Sequence, residues 1–156
     1  AKAEIRLNNA GTEEYRFYAL NDAAKTSFND KEYEKAKNYA IELSMLAEKY
    51  PNNFNYGNAI YDAHLVLGRL ALLENDVETA KKELFIAVKT PGSPQLNSFG
   101  PNMTLARDLI EKGQTEPVIQ FLIECKRFWT DHQKVDKWIN VIESGGTPAF
   151  NANLVY

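Results

Sequence analysis

The side chains in this sequence that could carry out catalysis are a single cysteine, Cys125, and two histidines, His64 and His132. A cysteine beside a histidine can act as a nucleophile, and clusters of cysteine, histidine and carboxylate groups bind metal ions. Neither an HExxH nor a CxxC spacing is present, and Cys125 falls among apolar residues at helical spacing. The sequence therefore predicts that the protein is not an enzyme and that it has no metal and no cofactor.

Charge and hydropathy exclude two other classes of partner. The 156-residue chain is 44% hydrophobic, which suffices for one domain with its own core. Its 18 basic residues are scattered among 21 acidic ones, so no broad cationic face for nucleic acid or anionic lipid is expected. No apolar run approaches the roughly 20 residues that span a bilayer, and we predict no membrane insertion.

Helical periodicity accounts for most of the chain. Apolar and small residues recur every three or four positions, and polar or Pro/Gly-rich stretches separate the periodic segments. The predicted helices are 13–28, 33–50, 58–73, 77–88, 102–112, 115–129 and 131–144. Asn29 with Glu32, and Asn75 with Glu78, have the spacing of helix-capping boxes.

Besides the turn-rich connector 51–57, three longer segments fall outside these helices. Residues 1–12 read as a loose leader with Ile5 and Leu7 as its only apolar anchors. Residues 90–101 contain three prolines, and the sequence predicts a packed loop whose Leu96 and Phe99 dock on the helices beneath it. For residues 145–156 the sequence predicts an extended tail. The helical domain thus spans residues 13–144.

The middle pair of helices, residues 58–88, carries a recognisable pattern. Gly68 in the first helix and Ala80 in the second are small enough for the two backbones to approach closely. The order Leu-Gly, Ala, a polar turn, Ala and a closing Ala before Pro91 resembles the tetratricopeptide repeat, a helix-turn-helix unit of about 34 residues whose stacks bind other proteins.

The same register extends over most of the chain. The equivalent small residues of the first helices are Ala24, Gly68 and Ala106, and those of the second helices, each twelve residues later, are Ala36, Ala80 and Val118. The repeats are 44 and 38 residues apart, longer than in the family, and Leu20, His64 and Asn102 stand where a large aromatic is usual. The resemblance implies an all-α, right-handed stack of three antiparallel helix hairpins, a tetratricopeptide-like (TPR-like) α-solenoid, closed by the helix 131–144.

The resemblance also implies a binding groove lined by the three first helices. The residue after each small residue would point into that groove: Lys25, Arg69 and Arg107. The residues four positions earlier are Asn21, Leu65 and Met103. Three cations at one repeated slot suit an acidic peptide or a carboxylate, although the further Asn and Lys partners of the family's carboxylate clamp are missing. In the alternative interpretation the cations are ordinary helix charges, some of them paired with Asp22, Asp62 or Asp108.

These patterns favour a protein–protein interaction scaffold that binds a peptide or a partner protein, an acidic one if the cations take part. Two alternatives stay open. Aromatic and asparagine side chains around Tyr15, Tyr18, Tyr56 and Tyr61 could bind a glycan. An enzyme that uses Cys125 is the third option.

Overall fold

The computed structural model describes residues 2–156, and every regular element in that range is a helix. The nine α-helices are α1 (Lys2–Asn8), α2 (Glu13–Asn29), α3 (Tyr33–Ala47), α4 (Tyr56–Leu73), α5 (Val77–Val88), α6 (Pro94–Phe99), α7 (Thr104–Glu111), α8 (Thr115–Cys125) and α9 (His132–Glu143). A 3-10 helix, Asn151–Leu154, follows α9. The prediction of an all-α protein is confirmed.

Consecutive helices pack against each other along most of the chain. The pairs α2 with α3, α4 with α5, and α7 with α8 are in contact, and α9 packs on α8. Helix α4 occupies the middle of the arrangement, since it also contacts α2, α3, α6 and α7. Helix α4 therefore fixes the positions of the helices that surround it.

Small residues bring the helices close together, as the sequence predicts. A Cβ added at Gly68 on α4 would lie 3.2 Å from the Cβ of Glu83 on α5. It would lie even closer, 2.5 Å, to a methyl carbon of Leu105 on α7. Gly68 thus lets α4 approach two neighbours at once, whereas the sequence pattern indicated only the first. Ala24, Ala36 and Ala40 fill the contact of α2 and α3 in the same way.

The first residues differ from the loose leader that we expected. Lys2–Asn8 form helix α1, whose Ala3 and Leu7 are buried, while Ile5 is exposed. Leu7 joins a core cluster that contains Phe17 of α2. The helix forms because this tertiary contact outweighs the weak local signal, which showed only Asn and Gly breakers.

The proline-rich segment contains a short helix where we expected only a loop. Ser93 caps α6 by accepting a hydrogen bond from the backbone N–H of Leu96 at 2.9 Å. Pro94 occupies the first turn of α6, where its missing N–H is no loss. Leu96 docks on the core as predicted, but Phe99 is 57% exposed.

Helix caps and the last residues also depart from the prediction in detail. Asp76, not Asn75, caps α5, accepting from the backbone N–H of Thr79 at 3.1 Å, and the cap residue of α3, Glu32, makes no side-chain capping bond. The expected extended tail contains the 3-10 helix, and its Phe150 is buried.

Candidate functional site

A series of cavities runs along one side of helix α2. The best-enclosed of the larger ones, about 350 Å³, lies between α2, the start of α4 and the segment 95–102. It shares Tyr18 with a second cavity toward Thr12, and it shares Asp22 and Lys25 with a third one toward Asn29. Neighbouring cavities have lining residues in common, and we call the three together the α2 groove.

The floor of the central cavity is a connected network of polar side chains. Asn21 donates to Asp62 at 2.9 Å, and Asn55 donates to Asn21 at 2.9 Å. The ammonium group of Lys25 lies 3.2 Å from the same Asp62 carboxylate. Asn21, Asn55 and Asp62 are buried, so these bonds hold the floor in one arrangement.

Aromatic rings line the two walls of the same cavity. On one wall Phe54 lies 5.0 Å from Tyr18 between ring centroids, and on the other Phe99 lies 5.6 Å from Tyr156. Both phenylalanines are more than half exposed, at 54% and 57%. Apolar rings that solvent still reaches beside a fixed polar floor are typical of a binding surface.

Amide groups continue the polar lining between these walls. Asn58 on α4 donates to Gln95 on α6 at 3.0 Å, and Ser93 donates to the Asn58 amide oxygen. Asn102 donates to the backbone oxygen of Tyr156 at 2.7 Å. Amides both donate and accept hydrogen bonds, so they suit a ligand that carries peptide or hydroxyl groups.

The three cations predicted to form a ligand site each have an aspartate partner. Besides the Lys25 pair, Arg69 contacts Asp108 at 2.8 Å, and Arg107 contacts Asp108 at 3.3 Å. The Arg69 guanidinium also lies 4.3 Å above the ring of Phe28. The ion pairs that the alternative interpretation allowed are thus present.

These cations are also largely enclosed. The side chains of Lys25 and Arg69 are only 16% and 14% exposed. The two line the same small cavity of about 60 Å³, and Arg107 lines neither this nor the central cavity. The structure therefore does not bring the three cations together in one open site.

The three residues predicted to accompany the cations have different surroundings. Asn21 forms part of the groove floor, as described above. Leu65 is buried and reaches only the small cavity, and Met103 is buried in the core.

The residues that line the groove most prominently were missed by sequence reasoning. Phe54 and Asn55 precede α4 in a connector that reads as turn-forming, and Gln95 and Phe99 lie in the proline-rich segment. The signal that the sequence offered for these residues was an aromatic side chain in each of the two connectors. Their convergence on α2 depends on tertiary packing and does not follow from spacing.

The four tyrosines of the glycan hypothesis are divided between surface and core. Tyr15 and Tyr18 line cavities of the α2 groove, and Tyr56 is half-buried against the core. Tyr61 is fully buried, and its hydroxyl donates to the Asn102 carbonyl at 2.6 Å. Burial raises the pKa of Tyr61 well above its ordinary value.

Each of the three side chains considered first for catalysis is buried or already hydrogen-bonded. Burial raises the pKa of the Cys125 thiol well above its ordinary value. Nδ1 of His64 lies 2.6 Å from a carboxylate oxygen of Glu83, and Nε2 of His132 lies 2.9 Å from the Lys126 carbonyl oxygen. Within residues 2–156 no three His, Cys or carboxylate groups are arranged to hold a metal ion.

Among the helices described for residues 2–156, none combines the length and the apolarity that crossing a membrane requires. Comparisons with protein-family models, with curated proteins and with solved structures give no match to this chain.

Proposed function

We propose that the protein is an interaction scaffold that binds an extended segment of a partner polypeptide in the α2 groove. In this proposal the helix pairs α2–α3, α4–α5 and α7–α8 are TPR-like hairpins in a right-handed stack, and α9 closes its end. The twelve-residue register of small residues and the packing of these helices in pairs support that description.

The observation that carries the proposal is that the groove already holds polypeptide. Residues 154–156 of the chain line its second half, and the groove residue Asn102 donates to the backbone oxygen of Tyr156 at 2.7 Å. Just outside the groove, the backbone N–H of Met103 donates to the carbonyl of Asn153 at 2.7 Å. Every polypeptide has such carbonyl groups, so the same lining suits a segment of another protein.

The dimensions of the groove set the length of the bound segment. Helix α2 has 17 residues and is therefore about 25 Å long. The part from its N-cap, Thr12, to Asn21 lies outside the small cavity that residues 154–156 cover and measures roughly 15 Å. At about 3.3 Å per residue, an extended segment of about five residues fits there.

The walls set the chemistry of that segment. Phe54 and Phe99 offer apolar surface to an aliphatic or aromatic side chain, and the Asn58 and Gln95 amides can bond its backbone. The cations contribute little, because Lys25 and Arg69 already have carboxylate partners. We therefore propose apolar side chains, and not acidic ones, as the main recognition element.

A peptide-display experiment tests this function. Random linear peptides about eight residues long are selected on the whole protein, and the affinities of labelled copies are measured by fluorescence anisotropy. In the Phe54→Ala variant we expect at least about a ten-fold weaker binding, since exposed aromatic anchors dominate such interfaces.

Met45→Ala is the matched control, because Met45 is an exposed apolar residue on α3 that lines none of the groove cavities. It should leave the affinity unchanged. Selection of no binding peptide, or equal loss of binding in both variants, would contradict the proposal.

A glycan-binding module is the second candidate. It is favoured by the proximity of Tyr18 to Asn53, whose amide donates to the tyrosine hydroxyl at 2.7 Å at the edge of the groove. Aromatic faces beside amides are suited to sugar rings. Binding to a glycan array that is lost in Tyr18→Ala would support this function in place of the first.

A further inference from the structure

The last residues of the sequence lie on the groove, and two parts of this segment are held with different strength. Asn153 is held more firmly than the residues that follow it. Its buried side-chain amide donates to the carbonyls of Phe99 and Pro101 at 3.0 and 3.1 Å, and its own carbonyl accepts from Met103. Three hydrogen bonds from a buried residue fix this point of the chain against the start of α7.

Residues 154–156 are held by fewer contacts than Asn153. Val155 is 83% exposed and Tyr156 is 41% exposed. Tyr156 is held by the Asn102 hydrogen bond and by the contact of its ring with Phe99. Leu154 is partly buried at the edge of the core. A segment with so little buried apolar surface opens at a low free-energy cost compared with the helices beneath it.

The position of this segment closes one half of the groove. Leu154, Val155 and Tyr156 line a cavity of only about 60 Å³ together with the second half of α2, including Lys25 and Asn29. The uncovered neighbour cavity measures about 350 Å³, and Tyr156 lies at its border. A partner segment that extended from Asp22 toward Asn29 would meet the Tyr156 side chain.

From this arrangement we infer that residues 154–156 form a displaceable strap, anchored at Asn153, that competes with the partner for the second half of the α2 groove. The inference rests on the proposed function, because the strap regulates the same site. When only the open fraction of molecules binds a long segment, the apparent affinity falls by that fraction. Weakening the strap therefore strengthens binding.

The test compares the wild-type protein with the Tyr156→Ala variant by fluorescence anisotropy, using the selected peptides of about eight residues, which when extended span about 26 Å and therefore reach the second half of the groove. We expect the variant to bind about three-fold or more tightly, through faster association. Met45→Ala is again the control, because Met45 is exposed and lines none of the groove cavities. It should not change the affinity. Unchanged or weaker binding in Tyr156→Ala would show that Tyr156 is a fixed part of the groove wall. That result would contradict the inference that residues 154–156 are displaced by the partner.

Amide hydrogen exchange of the free protein tests the strap without any peptide. The Met103 amide, bonded to Asn153, should be protected about ten-fold or more above the amides of Val155 and Tyr156. Equal protection at these three positions would overturn the inference. Failure of the proposed function is recognised separately, as the absence of any peptide whose binding depends on Phe54.

Discussion

At the scale of single residues, the polar side chains of this protein are mostly occupied by one another. Lys25 is paired with Asp62, Arg69 with Asp108, and His64 with Glu83. An ion pair between two enclosed groups is costly to break, because each charged partner would lose an opposite charge that compensates for its leaving water. Residues chosen for their charge alone were therefore poor candidates for a free ligand site, whereas the exposed aromatic rings are available.

The reactivity of Cys125 tests whether this cysteine is a buried core residue. Its thiol is buried on α8 and its pKa is raised by burial, so the folded protein forms almost no reactive thiolate at pH 8. We expect a disulfide reagent such as Ellman's to label it at least about a hundred-fold more slowly in buffer than in denaturant, because labelling requires the core to open.

Cys125→Ser, which has no thiol, is the blank for this measurement. Labelling of the native protein at the rate of a free thiol would mean that Cys125 is accessible, and it would restore the enzyme hypothesis.

At the scale of elements, the segment between α5 and α7 is held in place by a glycine. Gly100 has φ of +83° and ψ of 170°, a conformation that is essentially restricted to glycine, and an added Cβ would lie 2.3 Å from a ring carbon of Trp129. We expect Gly100→Ala to lower the free energy of unfolding by roughly 2–5 kcal/mol, the sum of backbone strain and overpacking. Urea denaturation measures this loss.

The variant Gly113→Ala separates the two contributions. Gly113 also has positive φ, +76°, but nothing lies within 4 Å of its added Cβ. Its substitution should cost only about 1 kcal/mol, from the backbone alone. An equal loss in both variants would show that the contact of Gly100 with Trp129 does not constrain the segment.

The elements themselves were predictable where local signals suffice. Apolar periodicity located α2, α3, α4, α5, α7, α8 and α9. Helix α1 was missed because its stability comes from burying Leu7 against Phe17. The groove walls were missed for the same kind of reason, since Phe54 and Phe99 meet only after two separate connectors have folded onto α2.

At the scale of the whole molecule, the even distribution of charge indicates how binding responds to salt. The chain has a formal net charge of −3, and the cations of the groove are paired within it. Binding through apolar side chains and amides therefore neutralises few exposed charges. We expect the affinity of selected peptides to change by less than about two-fold between about 50 and about 500 mM NaCl, although the Debye length shrinks about three-fold over that range.

The matched variant for this experiment is Asp108→Asn, which removes the carboxylate that Arg69 and Arg107 share and so frees Arg69 in the second half of the groove and Arg107 outside it. In that variant acidic peptides should gain affinity at low salt and lose it at high salt, because unpaired cations attract carboxylates that salt then screens. If the wild-type protein itself showed this steep dependence, its cations would have to leave their aspartates on binding. The partner would then be acidic, and the cations Lys25, Arg69 and Arg107 would carry recognition in place of the aromatic walls.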